Sequence, residues 1–98
     1  APRRKTGATT RKVTAMPLFM DVHEKVDGLT AEAVAGAHAR DLDVQHAYGV
    51  DYKQYWFDEA SGKVFCLVEA PDAEAAIAVH REAHGLLADA ITEVREGA

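Results

Sequence analysis

The segment Val64-Phe65-Cys66-Leu67-Val68 is apolar at every position and is closed off by Gly62 before it and Pro71 after it. A run this short between two breakers reads as a β-strand, and a strand with no polar position expects cover on both faces. The preceding residues, VDYKQYWFDE, form a second strand, and Ala60-Ser61-Gly62 between them supplies a short glycine-containing hairpin loop. The chain therefore has a sheet at its centre.

The rest of the chain can be arranged around that hairpin. PLFMDVH alternates as a strand, with Leu18, Met20 and Val22 on one face and Phe19, Asp21 and His23 on the other, and Asp27-Gly28 ends it in a turn. Thr30 is placed to cap a helix running to about Asp43, with Glu32 in the first turn where the helix dipole favours an acid. A polar bend follows at Tyr48-Gly49. Pro71 and Asp72 stop the apolar strand and open a second helix that reaches Gly85, and residues 88–95 read as a closing strand. The order βαββαβ is the ferredoxin-like α+β arrangement, an antiparallel four-stranded sheet with both helices on one face. The other face is left bare. With Phe19, Tyr55 and Phe57 expected on or near it, a second copy is the simplest cover, and a homodimer is predicted.

At 98 residues the chain suits one domain whose core is only marginally self-sufficient. No apolar run approaches the length of a membrane span. A single cysteine, Cys66, forms no internal disulfide, so a reducing cytoplasm is the expected compartment. Charge is unevenly distributed. Residues 1–15 carry Arg3, Arg4, Lys5, Arg11 and Lys12 and no acid, whereas residues 16–98 keep six bases against all sixteen acids. Such a body repels nucleic acid and tolerates cations. The basic head, which stops at Met16, is expected to be a disordered extension or expression scar outside the 16–98 domain.

Chemistry-bearing residues gather on the two helices. In AIAVHREAHG, residues 76–85, His80 and His84 lie one turn apart on one side of the second helix, His80 within the stripe of Ala73, Ala76, Ile77, Ala83 and Leu87 and His84 at its edge. On the first helix Ala31, Val34, Ala35 and Leu42 define an inner stripe, with His38 inside it and Asp41 at its margin. If the helices are antiparallel neighbours, His38, Asp41, His80 and His84 converge in the groove between them. Such a set suits a borderline divalent ion, nickel or zinc before calcium or magnesium. The packing alternative is a buried imidazole satisfied by a backbone carbonyl or by a carboxylate such as Asp41. His23, beside Asp21, is a further ligand candidate at the end of the first strand, and Cys66 reads as a small core residue. The metalloprotease pattern His-Glu-x-x-His is absent, since Arg81 follows His80, and no nucleophile motif or phosphate loop occurs. A His38–Asp41 acid/base pair keeps an enzyme reading open.

Taken together, PLFMDVHEKV, AHARDL, YWFDEASGKVFCLVEAPDAEAA and VHREAHG resemble a family of small bacterial ferredoxin-like proteins known as domain of unknown function 4242, one member of which binds nickel. The resemblance covers Met16 to about Gly97. It implies a dimeric ferredoxin-like fold and nickel binding for sequestration or detoxification, and it opens exposed alternatives in which Glu24, Asp43 and His46 supply ligands. The expectation is a cytoplasmic, homodimeric, non-catalytic nickel protein whose metal residues are His23, His38, Asp41, His80 and His84, with zinc as the alternative ion and neither nucleic acid nor membrane as partner. Metal binding should weaken as pH falls through the histidine range. The competing expectation is a dimeric α/β-barrel-like isomerase or oxygenase with His38 as general base.

Overall fold

The structure is a computed structural model that describes residues 16–97, so the basic head lies outside the described residues. Strand β1 (Leu18–His23) leads to helix α1 (Ala31–Val44) and a short 3-10 turn (Gln45–Tyr48). The hairpin β2 (Asp51–Asp58) and β3 (Lys63–Glu69), helix α2 (Ala73–Ala83) and strand β4 (Ala90–Val94) follow. The strands form one sheet in the order β2-β3-β1-β4, and every pairing is antiparallel. This is the ferredoxin-like α+β fold.

Local chemistry sets the element ends. Thr30 Oγ1 accepts from the Ala33 N–H at 3.0 Å, and the Asp72 carboxylate accepts from the Ala75 N–H at 2.9 Å, so both helices begin at side-chain caps. The hairpin closes at Gly62, whose φ of +81° lies in the left-handed region. A Cβ there would also meet the Val26 backbone at 3.2 Å, so this turn needs glycine twice over. On β3, Val64, Cys66 and Val68 face the helices and are buried, while Phe65 and Leu67 face the other way. Val68 and Val79 are fully buried at the centre of the core, where each apolar side chain contributes about 2 kcal/mol.

The faces of the sheet differ from the sequence expectation in a specific way. Phe19 pairs with Val68 and is buried under the helices instead of lying on the bare face. Tyr55 also packs against the core, because the register of β2 shifts between Tyr52 and Gln54 and so returns both tyrosines to the helix side. Phe57, two residues beyond Tyr55, follows it onto that side at the sheet's end. The outer face is instead built from Leu18, Met20, Val22, Phe65 and Leu67, with Trp56 opposite Phe65 at its border.

Helix α1 is also rotated relative to expectation. Its buried residues are Val34 and Asp41, whereas Ala31, Ala35 and Leu42 are exposed. Alanines carry little orienting force, and Asp41 turns inward because imidazoles wait for it there. Leu87, expected in the stripe of α2, lies beyond the helix end and is exposed.

Candidate metal centre

Three strands and two helices deliver polar side chains to one buried point. Strand β1 points Asp21 and His23 toward the helices, β3 places Cys66 directly opposite Asp21, and β2 adds Tyr52. Helix α1 contributes Asp41, and α2 contributes His80 from its last turn and His84 from its C-cap.

His80 is the hub. Its Nδ1 lies 2.9 Å from Asp41 Oδ1, and its Nε2 lies 3.1 Å from Asp21 Oδ2. The first contact is a hydrogen bond. The second is too poorly aligned to be one, so His80 Nε2 is buried without a hydrogen-bond partner. His84 Nε2 stands 3.1 Å from the same Asp41 oxygen, and His23 Nε2 stands 3.5 Å from Asp21 Oδ1. Tyr52 stacks on the His80 ring with centroids 4.5 Å apart and donates its hydroxyl toward Asp21 Oδ2 and the Ala76 carbonyl, each at 3.1 Å. Asp21 Oδ1 is left without a hydrogen-bond partner.

The electrostatics follow from this crowding. Burial alone would raise the pKa of Asp21, but the His23 and His80 imidazoles more than offset it and hold the carboxyl below its ordinary range. Asp41 is likewise lowered against its burial, by His80 and His84. Burial would lower the pKa of His80, yet the two carboxylates push it up to about 9. The Tyr52 hydroxyl and the Cys66 thiol are both raised, first by burial and then by the charge of Asp21. In the absence of an ion, a His80 imidazolium sits between two aspartates and leaves one negative charge in excess of it.

A cavity of about 510 Å³ opens onto this cluster, with His23, Asp41, Cys66, His80 and His84 among its lining residues. His38 also lines it, but its ring packs on Tyr55 at 4.7 Å and it joins neither donor cluster. Among the described residues the donor clusters are Asp21, His23, Cys66 and His80, and Asp41, His80 and His84, which share His80. The His38–Asp41 pair does not form, because Asp41 faces the two α2 histidines instead. The Asp41 side chain, expected at the helix margin, is only 4 % exposed, and His84 is the more accessible of the two α2 histidines, as expected, with its side chain 5 % exposed against 3 % for His80. The exposed alternatives are dispersed: Glu24 pairs with Lys63 at 3.5 Å, and His46 and Asp43 stand at the surface.

Sequence reasoning missed Asp21 as a donor and gave Cys66 only a packing role. The available signal was the alternation of β1, which places Asp21 on the same face as His23. The residues fit a divalent cation by their chemistry: carboxylate and imidazole donors converge, and two of their buried atoms have no hydrogen-bond partner.

A four-stranded ferredoxin-like domain with a carboxylate–imidazole centre buried between sheet and helices is the class that this fold and site define. The model of the family described as nickel responsive protein SCO4226-like matches residues 19–94, and the chain belongs to that family. It is also similar to SCO4226 from Streptomyces coelicolor A3(2), whose crystal structure shares 44 % identity with it, covering 83 % of this chain and 99 % of that one, with a TM-score of 0.77. Among curated proteins none matches.

Proposed function

We infer that the protein binds nickel as cargo at the centre around His80 and, as a homodimer in the cytoplasm, sequesters the ion without catalysing a reaction. The observation that carries this reading is the convergence of His80 and His84 on Asp41 at 2.9 and 3.1 Å, beside a second buried carboxylate, Asp21. Two aspartates packed away from water around one imidazolium form a site that a divalent cation would neutralise. The nickel-responsive family supports the choice of ion, with zinc as the chemically closest alternative. His23 and His80 are assigned to the metal, Asp41 and His84 to the hydrogen-bonding shell beside them, and His38 to the cavity wall.

The dimer reading rests on the outer face of the sheet, where Met20, Val22, Phe65, Leu67 and Trp56 form a continuous apolar surface that a second copy would bury. The domain of 16–98 is taken as the working unit. The enzyme reading with His38 as base loses its orienting partner, since Asp41 is engaged by His80 and His84.

Nickel titration of metal-stripped protein by calorimetry, with zinc run beside it, tests the reading. Binding that is lost in a His80→Ala, His84→Ala double variant supports it. Equal binding by that variant places the site elsewhere, and the absence of binding to either ion rejects it.

A further inference from the structure

The two donor clusters that share His80 are not equivalent, because its ring nitrogens are in different conditions. Nδ1 has a hydrogen-bond partner in Asp41, whereas Nε2 is buried and has none. Loss of the Nε2 proton leaves the tautomer that donates from Nδ1 to Asp41 and turns the Nε2 lone pair inward. That is the arrangement of a metal-ligating histidine, whose second nitrogen is held by a carboxylate that orients the ring. On this account Asp41 positions a ligand, and the ion lies on the other side of the ring.

That side holds Asp21, His23 and Cys66. One donor atom from each of these residues and from His80 lies within 4.8 Å of every other, and the four residues are between 1 % and 7 % exposed. Tetrahedral bonds of ~2.0–2.3 Å place neighbouring donors ~3.5 Å apart, so the cluster would need to contract by about an ångström. Asp21 Oδ1, the oxygen nearest His23 Nε2, has no hydrogen-bond partner, and leaving a buried carboxylate oxygen in that state is costly unless something else satisfies it. The charges also balance, since one carboxylate and one thiolate neutralise a divalent ion once His80 has given up its second proton and both imidazoles bind as neutral ligands. His23, Cys66 and His80 line the cavity, which supplies an entry path.

We propose that Asp21, His23, Cys66 and His80 form a buried four-coordinate site for a thiophilic divalent ion of the nickel, zinc and cobalt class, with Cys66 bound as thiolate. On binding, the Cys66 thiol proton and the His80 Nε2 proton both leave to solvent, and the metal–sulfur and metal–nitrogen bonds take their places. Asp41 orients His80 from outside the coordination sphere, and His84 is not a ligand. The inference rests on the metal reading above and specifies which atoms carry it.

Cobalt(II) is the probe, because it reports both sulfur ligation and geometry in its absorption spectrum. Titration of the metal-free full chain should produce a near-ultraviolet thiolate-to-cobalt charge-transfer band together with intense visible bands of four-coordinate cobalt. Cys66→Ser should lose the charge-transfer band, and His84→Ala should keep it. Should Cys66→Ser fail to fold, the band in the wild type and its retention in His84→Ala still decide the matter. Cobalt bound without a charge-transfer band, or with a band that survives Cys66→Ser or disappears in His84→Ala, overturns the inner site and leaves the metal reading standing. If no cobalt binds, both fall.

Discussion

His80 Nδ1 stands 2.9 Å from Asp41 Oδ1, with the two side chains 3 % and 4 % exposed, so helices α1 and α2 are joined at depth by a charge-assisted hydrogen bond instead of by apolar contact alone. Removing one partner leaves the other's charge buried without it, and such losses are typically ~3–5 kcal/mol. Asp41→Ala should therefore destabilise the metal-free protein by roughly that amount in urea unfolding. A loss comparable to that of an ordinary surface substitution would show that the pair contributes little.

The buried cluster around His80 makes stability depend on pH in two directions. The folded pKa of His80, about 9, lies above its ordinary 6.5, so its contribution is fully present below pH 6.5 and is lost as pH rises through 9. Asp21 is lowered from its ordinary 3.8, so its contribution is present above that value and is lost as pH falls through the folded one. Thermal unfolding of the metal-free protein should give its highest Tm between these limits and fall on the alkaline side. His80→Gln should flatten that alkaline fall.

Tyr52 ties the sheet to both the cluster and the second helix through one hydroxyl. Tyr52→Phe keeps the ring against His80 but removes the donor to Asp21 and to the Ala76 carbonyl. The expected cost is ~1–3 kcal/mol, the usual penalty for leaving buried acceptors unpaired. Denaturant midpoints of the two proteins measure it.

The proposed dimer makes a separate prediction at the sheet face. Trp56, 45 % exposed in the single chain, sits opposite Phe65 at the border of the apolar surface. Trp56→Asp should convert a dimer to a folded monomer in sedimentation equilibrium. A wild-type protein that sediments as a monomer contradicts the dimer directly.

The contrast between what the sequence reveals and what it hides has physical causes. Thr30 and Asp72 announce their helices because a capping side chain acts over three residues, and the spacing of His80 and His84 is a property of any helix. The depth of Asp41 is hidden because it depends on partners thirty-nine and forty-three residues away in the chain, and the alanines around it give α1 no strong apolar direction. Tyr55 changed faces through a single irregularity in β2, which period-two reasoning passes over. Asp21 and Cys66 meet only because β1 and β3 pair in one register, and no local pattern encodes that.

The central claim is that a metal ion belongs at His80. Crystals of the nickel-loaded protein, measured at the nickel absorption edge, test it most directly. The account predicts an anomalous peak bonded to a ring nitrogen of His80, with Asp21, His23 and Cys66 completing its coordination. A peak at surface acids such as Glu24 or Asp43, with His80 still hydrogen-bonded to Asp41 and carrying no ion, would contradict it.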